Sequence, residues 1–216
     1  MKSKFIAQMT SYLLVVIVCL HFSSCVTVFS ELQSARTVGE GRFDITPSYS
    51  TVGQFYEGES EGVQNHIGFQ AAYGISSRWD IRARYERVWV KDTEFGEDGV
   101  NVLGFGPKYS LLENKIAAYL PVGVGFFEGG EKEWQVHPTL LFTLPLMPDK
   151  AEVTFSPKYL IDFNGTNLVA TNLGFAFGDL RNWAIRPEFG LLFNPGEQGS
   201  NFHFSVGFTK SFGAWK

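Results

Sequence analysis

Residues Trp79 to Val90 read W-D-I-R-A-R-Y-E-R-V-W-V and separate by parity. Trp79, Ile81, Ala83, Tyr85 and Trp89 fall on one side; Asp80, Arg82, Arg84 and Glu86 fall on the other. A β-strand sends successive side chains to opposite faces, so this segment has one aromatic face and one charged face. The pattern recurs in about ten segments, near 42–53, 62–75, 79–91, 100–110, 116–127, 134–145, 151–163, 167–178, 183–193 and 201–212. Each has the roughly nine to eleven residues that a tilted strand needs to cross the hydrocarbon of a bilayer. No long helices intervene to build a second layer. An inverted arrangement follows, with apolar side chains on lipid and charges in the lumen of a closed barrel.

The connections support this. Ser76-Ser77-Arg78, Leu111 to Lys115, Leu146 to Lys150 and Asp179 to Asn182 are short. Glu57 to Glu61, Asp92 to Gly99, Glu128 to Glu133 and Asn194 to Ser200 are acidic or glycine-rich and mostly longer, while Asn164-Gly165-Thr166 breaks the alternation. Short turns on one side and longer loops on the other are the expected asymmetry of a membrane barrel. The expected fold is therefore all-β, a closed antiparallel up-and-down transmembrane barrel of about ten strands, with eight or twelve as neighbouring solutions. The competing fold is a secreted sandwich or lipocalin-like binder whose aromatic face lines a cavity. The two differ in whether Ile81 and Tyr85, or Arg82 and Arg84, face inward.

The lipid face on this register carries Phe43, Tyr49, Ile67, Phe69, Tyr73, Phe105, Tyr109, Trp134, Phe142, Phe155, Tyr159, Phe175, Phe177, Trp183, Phe189, Phe193, Phe202, Phe204 and Phe208. Arg87 falls on the same face and is expected at the outer rim, since at mid-depth it would cost about 2–4 kcal/mol. A Pro-polar-aromatic core repeats at Pro47, Pro107, Pro157 and Pro187. Proline has no amide to give a ladder, so bulges or strand ends are expected there.

Composition agrees with the pattern. Aromatics make up 16% of the 216 residues and charged residues only 19%, against about a quarter in globular chains. The mean hydropathy of −0.02 averages the alternation away. Net charge is −4 without a basic block, which excludes nucleic acid as a partner.

At the N-terminus, Lys2 and Lys4 precede an apolar run, Tyr12 to Leu20, too short to span a bilayer. Phe22-Ser23-Ser24-Cys25 then resembles a bacterial lipoprotein signal, in which the cysteine is lipidated and becomes the first residue. Phe22 stands where that signal carries an aliphatic. An ordinary signal peptide cut between Ser23 and Ser34 is the other reading. The division expected is 1–24 signal peptide, 25–41 periplasmic lead-in, and 42–216 barrel. Ser30 and Gln33 form a possible capping box, so residues 30–36 are expected as a helical turn or two tethered at the periplasmic mouth.

The lumen set is Asp44, Asp80, Arg82, Arg84, Glu86, Lys108, Glu152, Lys158, Asp162, Arg186 and Glu188, nearly balanced in sign. Its expected network is Asp80, Arg82, Arg84, Glu86, Lys108, Lys158, Arg186 and Glu188. Opposite charges are expected to pair across a narrow interior. A charge-paired, closed lumen is the first reading, and a narrow path for a small solute is the second. His66, His137 and His203 share the lumen parity but do not converge, and neither a metal nor another cofactor is expected.

His203-Phe204-Ser205 resembles the His-x-Ser pair of outer-membrane lipid A deacylases, whose histidine activates serine against an ester. That family's orienting acid lies further along the chain, whereas Val206 to Lys216 contains no Asp or Glu. The pair also faces the lumen, so no catalytic residue is assigned and a lipid-modifying hydrolase is the most distant reading. Phe204, Val206, Phe208, Phe212 and Trp215 resemble the terminal signal read by outer-membrane assembly machinery, with Lys216 following the aromatic. As a pattern over 42–215, the chain resembles the small outer-membrane β-barrels of diderm bacteria. The resemblance implies location in the outer membrane, a structural or surface-interaction role, and outer-membrane lipids and the barrel assembly machinery as partners.

Overall fold

The computed structural model describes residues 28–56, 58–90, 99–127, 132–163, 167–196 and 198–213. The strands are β1 (Phe43–Tyr56), β2 (Glu59–Gly74), β3 (Trp79–Val90), β4 (Val100–Leu112), β5 (Ile116–Tyr119), β6 (Val122–Phe126), β7 (Lys132–Val136), β8 (Thr139–Met147), β9 (Ala151–Asp162), β10 (Leu168–Asp179), β11 (Trp183–Phe193) and β12 (Ser200–Phe212). β5 and β6 run along β4 in one register and are halves of a single wall strand interrupted at Leu120-Pro121. β7 and β8 are likewise halves of one strand along β9, interrupted at His137-Pro138. Each break falls at a proline, which has no amide to offer the ladder. The wall is therefore a ten-stranded antiparallel barrel. β1 pairs with β2 on one side and β12 on the other, so the sheet closes and leaves no edge.

Side-chain direction follows the alternation. Arg82 is buried while Tyr85 is 42% exposed, so the charged face of β3 lines the interior and the aromatic face looks out. Tyr49, Ile67, Phe69, Tyr73, Phe105, Trp134, Phe142, Phe155, Tyr159, Phe177, Phe204 and Phe208 are exposed around the whole wall. Rings on paired strands meet on this outer surface, Trp79 with Tyr109 at 4.6 Å and Phe189 with Phe204 at 5.0 Å between centroids. Arg87 sits between Tyr85 and Trp89 near the end of β3 that leads into the long connection to β4.

Two local expectations are corrected. Pro47, Pro107, Pro157 and Pro187 lie inside β1, β4, β9 and β11, and the register runs through them. The register shifts fall instead between Val52 and Gly53, Ser110 and Leu112, and Pro145 and Met147. The ladder tolerates these prolines because each keeps its carbonyl and the neighbouring residues keep theirs. The first long connection is also shorter than Glu57 to Glu61: Tyr56 pairs with Glu59, and β1 and β2 of 14 and 16 residues extend the hairpin to its tip.

The lead-in is placed differently as well. Residues 28–40 form no helix, and Leu32 adopts φ 51, which breaks any helical run from Ser30. Nor does the segment stand at the mouth, for Val28, Phe29, Leu32, Ala35 and Val38 are all buried inside the barrel.

Candidate functional site

The segment 28–40 threads the lumen from end to end and is bonded at every level. At the end away from the strand termini, Val28 packs on Val88 and Val100. Phe29 joins Val52, Leu160, Ala170 and Leu192 in an inward apolar cluster, and its carbonyl accepts from Lys158 Nζ (3.1 Å) and Asn172 Nδ2 (2.8 Å). Half-way down, the Glu31 carboxylate meets Lys158 Nζ at 2.6 Å. The amides of Glu31 and Leu32 donate to the two oxygens of Glu188 at 2.6 and 2.8 Å. The two successive amides thus converge on one carboxylate, beside a Leu32 whose φ of 51 is left-handed.

Lower still, the Ala35 amide donates to Thr143 Oγ1 (2.8 Å), and Lys108 Nζ donates to the carbonyls of Ser34 and Arg36. Arg36 binds Glu152 at 2.7 Å and Asp149, in the β8–β9 turn, at 2.9 Å. The Val38 amide donates to Asp80 (3.1 Å), and Gly39 passes against Gly74 before the chain enters β1. A ten-stranded wall is wider than its own side chains can fill, and this extended strand occupies the remainder.

Asp80, Arg82, Arg84, Glu86, Lys108, Lys158, Arg186 and Glu188 all lie on the lumen side, and the expected pairing across the lumen is not what the ion pairs among the described residues show. These run along the wall or from wall to plug. Lys108 pairs with Asp80 on the adjacent strand (3.0 Å), Arg84 with Glu86 on its own strand (3.3 Å), and Arg186 with Glu152 (3.6 Å). Lys158 and Glu188 are turned to the plug. Sequence reasoning missed Glu31, Arg36, Asn172 and Thr143, since the partners of these plug contacts lie more than a hundred positions apart. One signal was available: Phe29, Leu32, Ala35 and Val38 are apolar at three-residue spacing in an otherwise polar stretch.

A cavity of about 540 Å³ beside the exit of the plug has a mixed lining, with Arg42, Arg82, Lys108 and Arg186 facing Glu40, Asp44, Glu113 and Asp149. Asp149, on the rim, is held below its ordinary value chiefly by the hydrogen bond from Arg36, with Arg181 at 2.6 Å assisting.

His66 and His203 lie on the two strands that flank β1. His66 lies beside Glu86 (3.4 Å) and Gln64, and His137 beside Gln135 (2.9 Å). Among the described residues no group of three metal-binding side chains converges. His203 Nδ1 is 2.7 Å from Ser205 Oγ, which donates onward to Ser50 Oγ at 2.7 Å. His203 Nε2 lies 3.1 Å from Asn172 Oδ1 and 3.7 Å from Glu188. An acid thus approaches the histidine from a neighbouring strand, yet both its oxygens are already engaged by the plug amides. The Phe29 ring stands edge-on to the imidazole at 4.6 Å. The serine is buried beneath the plug, on the opposite side of the wall from lipid.

The outer surface completes the account, because only a bilayer matches a continuous apolar belt around a closed wall whose interior carries the charge. The chain is a transmembrane β-barrel with an internal plug. No protein-family model matches it, and no curated protein does. Among solved structures it is similar to the translocator domain of autotransporter NalP from Neisseria meningitidis, at 10% identity over 98% of both chains with a TM-score of 0.48. It is also similar to Ail, the attachment invasion locus protein of Yersinia pestis (11% identity, 80% of this chain and 99% of that one, TM-score 0.38). A third is Neisserial surface protein A (11%, 80% and 100%, 0.39). The barrel itself is established by the chain's own closed ladder and wall polarity.

Proposed function

We propose that the protein is an integral outer-membrane β-barrel, sealed by its own N-terminal segment, with a structural or surface-interaction role. The observation that carries this reading is the plug, bonded to the wall from Phe29 to Val38 through backbone amides and carbonyls as well as ion pairs. A solute path through the centre would have to displace all of these bonds together. Outer-membrane lipids surround the aromatic belt, and the barrel assembly machinery is the partner for insertion, read from the aromatic last strand. The His203–Ser205 pair serves the packing of the plug, not hydrolysis: its serine is covered and its neighbouring acid is engaged.

Conductance in planar bilayers tests the seal. The intact protein is expected to be silent, and a chain lacking residues 28–40 to conduct. If that deletion fails to assemble, Glu31→Gln with Lys158→Met loosens the plug while keeping the wall, and intermittent openings are expected. Steady conductance by the unaltered protein would replace the sealed reading with that of a narrow channel, for which the charged cavity at the plug exit would be the vestibule.

A further inference from the structure

Two charged groups in the cavity beside the plug exit have hydrogen-bonding capacity that the described residues do not use. Arg82 lines this cavity at 6% exposure, and among the described residues it forms no hydrogen bond or ion pair. A guanidinium only donates, so taking it out of water without an acceptor is costly. Its cationic neighbours are engaged: Lys108 is bound to Asp80, Arg186 to Glu152, and Arg42 donates to the Arg181 carbonyl. Asp44 lines the same cavity, and its Oδ1 is buried without a hydrogen bond. An ionised carboxylate only accepts.

The ladder places the two groups on either side of one gap. Asp44 pairs with Ala72 and Ala72 with Arg82, so the three stand in a row across β1, β2 and β3. Neighbouring strands are about 4.7–4.9 Å apart, which leaves roughly 10 Å between the backbones of Asp44 and Arg82. On β2 only the buried methyl of Ala72 stands between them. Ser211, paired with Asp44 on the other side, adds a hydroxyl to the same lining. A ligand in this gap must accept from Arg82 and donate to Asp44. It must also be an anion, because Arg82 is the cation left without a partner, while Asp44 already shares its charge with Arg42, Lys108 and Arg186. The other acids of the lining do not oppose it at this depth: Glu40 and Glu113 are exposed at the mouth, and Asp149 is bound by Arg36 and Arg181.

We infer that the cavity is a binding site for a phosphate group that still carries one proton, either free hydrogen phosphate or the head of a small phosphate monoester. Its oxygens accept from Arg82, and its one O–H donates to Asp44. A phosphate monoester keeps that proton up to a second pKa of about 6. Sulfate has the same shape but no proton near neutral pH, so it sets an oxygen against the Asp44 carboxylate. The cavity of about 540 Å³ is larger than a phosphate and leaves room for an organic group. Exposed turn residues, Ser77 and Asn114, belong to its lining, so the ligand enters from the short-turn end, which faces the periplasm in barrels of this architecture.

The assembled barrel in detergent, recognised by its heat-modifiable gel mobility, is titrated calorimetrically near neutral pH with inorganic phosphate, glycerol 3-phosphate and sulfate at constant ionic strength. Saturable binding of phosphate is expected, with sulfate weaker by at least about tenfold. Tighter binding of glycerol 3-phosphate than of phosphate assigns the site to a monoester, and equal or weaker binding assigns it to the free ion. Arg82→Gln is expected to weaken phosphate by at least about tenfold, and Arg78→Gln, at an exposed turn position outside the lining, to leave it unchanged. Asp44→Asn, whose amide can donate as well as accept, is expected to bind sulfate as well as phosphate. If Arg82→Gln does not assemble, the Asp44→Asn variant and the preference of the unaltered protein carry the test. Equal affinity of the unaltered protein for sulfate and phosphate overturns the inference, as does the absence of saturable binding by either phosphate compound. The sealed-barrel reading is judged by conductance and survives both results.

Discussion

Glu188, on β11, accepts the amide of Leu32 at 2.8 Å across the interior surface of the barrel, its second oxygen taking the amide of Glu31. A carboxylate that accepts two adjacent backbone donors inside the lumen ties the plug to β11 at that depth. Glu188→Gln replaces one acceptor with a donor facing a donor. Hydrogen bonds to charged groups contribute about 1.5–3 kcal/mol each, so a lower temperature for the gel-mobility shift is expected, with Glu188→Asp intermediate. An unchanged transition temperature in the Gln variant would remove Glu188 as the anchor.

Glu31 and Lys158 form a buried pair at 2.6 Å. Removing one partner of such a pair costs about 3–5 kcal/mol, whereas replacing both with apolar groups of similar size can be neutral. Lys158→Met alone is expected to destabilise strongly, and Glu31→Leu with Lys158→Met to recover much of the loss. A double-mutant cycle on thermal unfolding in detergent measures the coupling. Additive losses would mean that the two side chains act independently.

At Gly74 a Cβ would lie 1.9 Å from the Gly39 carbonyl oxygen, a backbone atom that cannot rotate away. At Gly104 the nearest atom would stand 3.8 Å off, an ordinary contact. Gly74→Ala is therefore expected to displace the exit of the plug and to increase protease cleavage at residues 37–41. Gly104→Ala should behave as the parent does. Equal proteolysis of the two variants would contradict the path described for the plug.

Acid acts on the rim through Asp149. Its carboxyl is held below the ordinary value by Arg36, so the contact is fully present above the unfolded-state value and is lost as pH falls through the depressed one. Hydrogen exchange at residues 36–40 should therefore rise only at strongly acid pH, below the usual carboxylate range. Asp149→Asn should show elevated exchange at neutral pH with no further step from this group. A step near neutral pH in the parent would point to a different titrating residue.

Much of the wall was legible from sequence and little of its filling. Period-two alternation is a local property, decided by whether each residue and the next prefer opposite surroundings. Trp79 to Val90 therefore put Arg82 and Tyr85 on opposite faces before any partner strand was known, and strand lengths with short turns favoured a closed barrel. The plug carried only the three-residue spacing of Phe29, Leu32, Ala35 and Val38, which names no partner. A polar stretch such as 28–40 suits water at a mouth and suits a charged lumen equally well, so local chemistry left its place open. Its surroundings exist only once distant wall residues, Asp80, Thr143, Lys158, Asn172 and Glu188 among them, are brought round it. Barrel closure assembles that shell, and the shell, by matching each backbone donor and acceptor of the threaded segment, decides where the segment runs.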